Sequence, residues 1–267
     1  QLYDLKHPEL FGLGEAAPLS LLSIDDDKDF LLTFNNTMAQ FCQEGRIESI
    51  WYHTYPSMAF AIETALLDLK NGSQRILYPN EFDAENKIKI NGLVWMNELG
   101  TMLEEALELV AKGYDCIKFK VGALDFDSEC RLLEQFRKKH SSGNVLLRLD
   151  ANGAFHPKEA KEQLKELNKF GIHSIEQPLK PEFVEELAQL SDSSIIDIAL
   201  DESLIGAGDK GNKIQLLRNI KPQYIVLKPT LLGGLAQTQE WIDIGQQLRI
   251  GNWITSALES NIGLSAI

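Results

Sequence analysis

From about residue 90 onward, apolar and polar positions follow one another in a way that predicts short strands separated by amphipathic helices. Strands are predicted for seven stretches: KINGLVW (89–95), DCIKFKV (115–121), NVLLRLD (144–150), HSIEQP (173–178), DIALDES (197–203), YIVLKP (224–229) and GNWITSAL (251–258). Strands that alternate with helices form parallel sheets. The pattern therefore predicts an α/β fold, either a doubly wound sheet or a (β/α) barrel.

The helices between these strands have recognisable start signals. Thr101 with Glu104 matches a capping box, and both Pro157 and Pro181 are typical first residues of helices. The helix predicted after Pro157 has an apolar stripe made of Ala160, Leu164, Leu167 and Phe170.

The chain is predicted to contain two domains. Residues 1–88, with predicted helices at 26–45 and 56–71, form a partial α+β capping domain, and residues 89–267 form the barrel domain. Because seven strand units are found where a barrel needs eight, we expect the eighth strand to be absent from this sequence and both ends to be incomplete. The predicted fold class is a modified (β/α)7β TIM-type barrel with an N-terminal α+β capping domain.

Five consecutive predicted strands carry a charged residue near their C-terminal ends. Each follows its predecessor by 25 to 30 residues, which is about the length of one strand, one helix and two loops; the five are Lys120, Asp150, Glu176, Asp201 and Lys228. The C-terminal ends of barrel strands carry the active site in enzymes of this architecture. The spacing therefore predicts one shared site.

Alternation along the second of the seven strands decides where its two lysines point. Ile117, Phe119 and Val121 lie on one face, and Lys118 and Lys120 on the other. Helices cover the outer face of a parallel barrel, so the apolar residues are expected to face the helices. We therefore expect both lysines to face the interior.

Three of the strand-end residues are carboxylates, namely Asp150, Glu176 and Asp201. Their charges would repel one another in a confined site unless a cation compensated them. No histidine or cysteine occupies a strand end, and oxygen ligands alone favour a hard divalent ion. The sequence predicts Mg²⁺ as the cofactor, ahead of Mn²⁺ or Ca²⁺.

The composition argues against several classes of partner. The net charge of −13 disfavours nucleic acid and anionic membrane surfaces, while a small anionic carboxylate is compatible with it because local cations override the global charge. No apolar run reaches the roughly 18 residues that a membrane span needs, and the chain start lacks the pattern of a signal peptide. Three cysteines without CxxC spacing indicate reduced thiols, and we expect a cytoplasmic protein. The oligomeric state does not follow from the sequence.

Several stretches of the chain resemble the enolase superfamily, muconate-lactonising subgroup, and within it most resemble the o-succinylbenzoate synthase family. The stretches are GLGEAAPL, PSMAFAIETAL, INGLVW, KFKVG, LRLDAN, ALDES, LKPTLLGG and SALESNIGL. The resemblance covers nearly the whole chain. It implies that Asp150, Glu176 and Asp201 bind Mg²⁺, with Mn²⁺ as a substitute.

The same resemblance implies roles for the lysines. Lys120 would abstract the α-proton of the substrate and then help the β-hydroxyl to leave, Lys228 would stabilise the enediolate from the opposite face, and Lys118 would favour the neutral amine at Lys120. Thr255 or Ser256 would contact substrate carboxylates. The implied activity is that of a carbon–oxygen hydro-lyase, which dehydrates 2-succinyl-6-hydroxy-2,4-cyclohexadiene-1-carboxylate to 2-succinylbenzoate in menaquinone biosynthesis.

Two other functions fit the same residues. An N-acylamino-acid racemase or dipeptide epimerase of the subgroup would use Lys120 and Lys228 as paired bases on either face of the substrate. A barrel retained as a binding or scaffold protein is the non-enzymatic alternative, although all five charged residues are present here.

Overall fold

The computed structural model describes residues 1–79 and 88–267. The strands are β1 (Leu2–Tyr3), β2 (Phe11–Gly12), β3 (Gly92–Val94), β4 (Cys116–Lys120), β5 (Leu146–Asp150), β6 (Ile172–Glu176), β7 (Asp197–Leu200), β8 (Tyr224–Leu227) and β9 (Gly251–Ile254). The helices are α1 (Phe30–Glu44), α2 (Trp51–Thr54), α3 (Pro56–Lys70), α4 (Leu99–Ala111), α5 (Phe126–Lys139), α6 (Pro157–Asn168), α7 (Val184–Ser193), α8 (Lys210–Ile220), α9 (Pro229–Leu232), α10 (Gly234–Leu248) and α11 (Asn261–Leu264).

The strands from β3 to β9 form one sheet in which the spatial order follows the chain order. Neighbouring strands from β3 to β8 pair in parallel. Six of the seven strands lie inside the stretches that the alternation pattern predicts, and β6 begins one residue before its stretch, at Ile172, so the α/β prediction is confirmed. A separate two-stranded antiparallel sheet joins β1 to β2.

The apolar face of β4 packs as the alternation predicts. Ile117 and Phe119 are fully buried, and the Phe119 ring meets the Phe136 ring of α5 edge to face, with 5.6 Å between their centroids. The same face of α5 also buries Leu132 and Leu133. Aromatic and aliphatic packing of this kind covers the outer face of the strand and leaves its lysines on the opposite face.

The predicted start of α6 is confirmed, because Pro157 is its first residue and the His156 side chain accepts a hydrogen bond from the Lys158 N–H. Its predicted stripe is buried at Ala160, Leu164 and Leu167.

Two other predicted helix starts are wrong. Thr101 is not a cap, since α4 begins at Leu99 after Glu98, whose backbone is extended, so Thr101 already lies inside the helix. Pro181 belongs to a turn closed by the Phe183 N–H, which donates to the Lys180 carbonyl, and α7 begins only at Val184. Proline is common both at the second position of such turns and in the first turn of a helix, so its presence alone does not distinguish the two.

The described residues form two compact units. One contains the described residues up to 79 together with Leu204–Ile214 and Val226–Ile267, and the other contains Ile88–Ser203 and Gln215–Ile225. This partition differs from the predicted division into residues 1–88 and 89–267. The predicted boundary lies beside residues 80–87, which are outside the described part of the chain, so the division stays a prediction.

In the first unit, ten of the fifteen residues of α3 are buried, and the helix contacts both β1 and β2. The predicted helices at 26–45 and 56–71 correspond to α1 and α3. Gly12 lies so close to α3 that a Cβ atom there would fall 1.8 Å from the Ala65 carbonyl oxygen. Asp68 of α3 accepts a hydrogen bond from the Leu13 N–H at 2.9 Å, which ties the two segments together. Within the residues that the structure describes, no helix has the length and apolarity to cross a membrane.

Candidate active site

The two lysines of β4 face away from the helical layer, as predicted. Lys118 Nζ lies 2.9 Å from Asp150 Oδ2 and 2.8 Å from Glu176 Oε2. Both carboxylates are almost completely buried, at 0% and 1% exposure. A single ammonium group therefore joins the ends of β5 and β6.

The charges of this cluster shift one another's pKa values. Burial disfavours the ammonium form of Lys118, but the attraction of Glu176 and Asp150 outweighs burial and raises the pKa of Lys118 above its ordinary range. Burial likewise opposes ionisation of Asp150, but Lys118 and Lys120 outweigh it and lower the pKa of Asp150 to about 2. Lys118 is therefore a fixed cation and Asp150 a fixed anion near neutral pH.

Among the described residues, three neighbours hold the Lys120 amine. Its Nζ lies 2.7 Å from Asp150 Oδ2 and 2.6 Å from Asn152 Oδ1. It also lies 5.4 Å from the centre of the Trp95 ring, within the range of a cation–π contact. The Asn152 side chain in turn donates to Glu202 Oε1 at 2.7 Å. The Lys120 amine is thus held by a carboxylate, an amide and an aromatic ring.

The third predicted carboxylate, Asp201, directly follows β7 and is 2% exposed. Its backbone N–H donates to Gln177 Oε1 at 3.0 Å, which connects it to the residue after Glu176. The sheet register places Asp150 opposite Glu176, and Glu176 opposite Ala199, two residues before Asp201. The three carboxylates therefore belong to the C-terminal ends of three neighbouring strands.

These residues suit a hard divalent ion in their chemistry, since all three are buried carboxylates on adjacent strands. In the described part of the chain, however, no three Asp, Glu, His or Cys side chains are gathered closely enough to hold a metal ion. The positive charge between Asp150 and Glu176 is that of Lys118. The Lys118 contacts use one oxygen of each carboxylate, Asp150 Oδ2 and Glu176 Oε2.

The remaining predicted site residues belong to the first compact unit. Lys228 follows β8 directly, and its carbonyl accepts hydrogen bonds from the N–H groups of Leu231 and Leu232, the last two residues of α9. Thr255 and Ser256 follow β9 rather than lying on it, and both are half-buried. The Thr255 N–H donates to the Leu227 carbonyl at 2.9 Å, so strand pairing continues one residue past β9.

Sequence reasoning missed the aromatic ring of Trp95 beside Lys120. Among the described residues it also missed three polar ones that the structure connects to the cluster: Asn152, Gln177 and Glu202. Asn152 and Glu202 lie within the stretches LRLDAN and ALDES, and Gln177 immediately follows Glu176. Their polar side chains beside predicted ligands were the available signal. Their contacts depend on long-range pairings that the sequence pattern does not show.

The fold and these residues define a class: an α/β protein of the TIM-barrel type with lysines and carboxylates at the C-terminal ends of its parallel strands. Residues 101–267 match the family described as Enolase C-terminal domain-like. The chain belongs to this family.

Individual relatives agree with this assignment. An o-succinylbenzoate synthase from Desulfotalea psychrophila is 47% identical over 214 residues, which cover 80% of this chain and 58% of the relative. A hydrophobic dipeptide epimerase from Enterococcus faecalis is 27% identical over 79% of this chain and 59% of its own length. The crystal structure of MenC from Desulfotalea psychrophila superposes with a TM-score of 0.86 at 36% identity and covers 99% of this chain and 82% of that one. The chain thus spans just under three fifths of the length of these two curated relatives.

Proposed function

We propose that the protein is a Mg²⁺-dependent carbon–oxygen lyase of the o-succinylbenzoate synthase type. It would dehydrate 2-succinyl-6-hydroxy-2,4-cyclohexadiene-1-carboxylate to 2-succinylbenzoate, a reaction of menaquinone biosynthesis. The observation that carries the proposal is the buried cluster in which Lys118 and Lys120 share the Asp150 carboxylate. The 47% identity to an o-succinylbenzoate synthase supports this reaction over others of the family.

Lys120 is the proposed base for the α-proton. A lysine acts as a base only as a neutral amine, and the fixed charge on Lys118 opposes a second positive charge beside it. Once protonated, Lys120 would donate its proton to the departing β-hydroxyl, so that one group serves both halves of the dehydration. The hydrogen bonds to Asp150 and Asn152 would hold the Lys120 amine in one place during both proton transfers.

Asp150, Glu176 and Asp201 would hold the Mg²⁺ ion, or Mn²⁺ in its place. When bound, the ion supplies positive charge for a substrate carboxylate and for the enediolate that forms when the α-proton is lost. Lys228 is proposed as the cation that stabilises the enediolate from the other face, and Thr255 or Ser256 as hydrogen-bond donors to the small anionic substrate.

Epimerisation of a dipeptide or acylated amino acid is the second candidate. It is favoured by the 27% identity to a hydrophobic dipeptide epimerase over most of this chain. Such an enzyme removes an α-proton on one face and returns a proton on the other, so Lys120 and Lys228 would both have to act as bases.

A substrate comparison separates the two candidates. Purified protein is incubated with the cyclohexadiene acid, with formation of the aromatic product followed by absorbance, and in D₂O with hydrophobic dipeptides and acylated amino acids, with α-deuteration followed by NMR. Each reaction is run with added Mg²⁺ and with chelator. Turnover of the cyclohexadiene acid that the chelator abolishes supports the proposal. Exchange of the amino-acid substrates without dehydration of the cyclohexadiene acid would overturn it in favour of epimerisation.

A further inference from the structure

Gln177 is a buried amide that connects the strand ends carrying two of the proposed ligands. Its Oε1 accepts hydrogen bonds from the N–H groups of Asp201 and Ser203, at 3.0 and 3.1 Å. Its Nε2 donates to the Leu179 carbonyl at 2.8 Å and to the Ser203 hydroxyl at 2.7 Å. Two acceptor positions and two donor positions are all that a glutamine side chain has, so its hydrogen-bonding capacity is filled.

The backbone of Gln177 adds a second observation. Its φ of +38° lies in the left-handed region, which is uncommon for a residue other than glycine, and its side chain is 0% exposed. Its N–H also donates to the Ala199 carbonyl of β7 at 2.8 Å. A strained, fully buried and fully bonded polar residue persists only where the surrounding structure requires that conformation.

This conformation determines how Glu176 and Asp201 are placed relative to each other. Gln177 is covalently attached to Glu176, and its side chain reaches across to the backbone of Asp201. The amide therefore acts as a spacer of set length between the C-terminal ends of β6 and β7.

We infer that Gln177 is a positioning residue, which fixes the backbone of Asp201 against that of Glu176 and thereby sets the affinity of the proposed ligands for a divalent ion. The inference rests on the proposed function, since it assumes that these carboxylates bind Mg²⁺. Groups that orient ligands without touching the metal commonly change metal affinity by about 10- to 100-fold when they are removed.

The test compares the affinity for Mn²⁺, measured by isothermal titration calorimetry, in the parent protein and two variants. Gln177→Met keeps the length of the side chain but removes its hydrogen bonds. Gln177→Asn keeps an amide on a residue type that tolerates the left-handed backbone, but its side chain is one methylene too short to reach Asp201. It carries the test if the methionine variant does not fold. Both changes are expected to weaken Mn²⁺ binding by about tenfold or more.

Gln223→Met is the matched control. The Gln223 Oε1 accepts a hydrogen bond from the Ile198 N–H at 2.8 Å. Gln223 is therefore, like Gln177, a glutamine whose side chain bonds the backbone of the β7 segment, but at the opposite end of the strand. This variant is expected to lower the melting temperature and to leave Mn²⁺ affinity unchanged.

The outcomes distinguish this inference from the proposed function. If the parent protein binds Mn²⁺ and a folded Gln177 variant binds it equally well, the positioning role is wrong while the metal site stands. If the Gln223 control weakens binding as much as the Gln177 variants, the effect is one of general stability and the positioning role is again wrong. If the parent protein binds no Mn²⁺, both the proposed metal site and the inference that rests on it fail.

Discussion

Asp150 and Glu176 lie directly opposite each other on β5 and β6, and the Lys118 ammonium joins their carboxylates through contacts of 2.9 and 2.8 Å. Two buried carboxylates on adjacent strands would repel each other strongly without this cation. The two carboxylates therefore explain why a lysine, rather than an apolar residue, occupies this inward position of β4.

Replacement of Lys118 by methionine tests this charge balance. In the absence of divalent ions the variant leaves two buried carboxylates without their shared cation, so we expect a loss of about 3 kcal/mol in the free energy of unfolding. Added Mg²⁺ should restore more stability to Lys118→Met than to the parent protein, because the ion then supplies the missing charge. Urea unfolding with Mg²⁺ and with chelator measures both effects.

The control for this change is Lys138→Met, which removes an exposed lysine paired with Glu134 on α5. Exposed pairs of this kind contribute about 0 to 1 kcal/mol. Equal losses in the two variants would show that Lys118 does not compensate the buried carboxylates.

Replacement of Lys120 by methionine tests the proposed base. We expect turnover of the cyclohexadiene acid to fall by about a thousandfold, since the proton-transfer group is removed while the apolar stem of the side chain remains. The melting temperature should change little, because Asp150 keeps its contact with Lys118. Lys165→Met on the exposed surface of α6 should retain full activity, and a Lys120→Met variant that keeps parent turnover would remove Lys120 from the mechanism.

Replacement of Asn152 by glycine tests the support of that base. Glycine accepts the φ of +42° at this position but removes the side chain that links Lys120 to Glu202. We expect kcat to fall by about 10- to 100-fold with a smaller change in KM, because the amine loses its fixed position rather than its contact with substrate. A rise in KM with unchanged kcat would indicate instead that Asn152 binds substrate.

The buried Glu129 carboxyl predicts a pH dependence of stability away from the charged cluster. Burial raises the pKa of Glu129 above its ordinary value of 4.5, although hydrogen bonds from the Gly122 and Leu124 N–H groups oppose this shift. A carboxyl that holds its proton more tightly when folded makes the protein less stable as the pH rises through the interval between the two pKa values. The parent protein should therefore lose stability relative to Glu129→Gln as the pH rises above 4.5.

Urea unfolding of both proteins at several pH values between about 4 and 7 measures this difference. Glu134→Gln, on the exposed face of the same helix, serves as the control for the loss of a carboxyl that is not buried. A parent protein that gains stability over Glu129→Gln as the pH rises would contradict the predicted sign.

Much of this architecture follows from simple periodicity. The inward direction of Lys118 and Lys120 was predictable because side chains alternate along a strand and helices cover the outer face of a parallel sheet. The proximity of Asp150 and Glu176 was predictable from their spacing of one strand–helix unit. In both cases local pattern and overall fold give the same answer.

Other features depend on geometry that local signals do not contain. Thr101 matches the chemistry of a capping residue, but the helix begins earlier because Leu99 and Gly100 already adopt helical conformations. Gln177 acquires its role from a left-handed backbone and from N–H groups that follow the next strand, neither of which the alternation pattern reveals. The sharing of Lys118 between two carboxylates likewise depends on the register of three strands.

The most direct test of the central claim is a crystal structure of the protein grown with Mn²⁺, in which anomalous scattering locates the ion. We expect one peak per chain within coordination distance of a carboxylate oxygen from each of Asp150, Glu176 and Asp201, with Lys120 beside it. A peak that lacks any of these three ligands, or crystals in which Lys118 still joins Asp150 to Glu176 and no ion is bound, would contradict it.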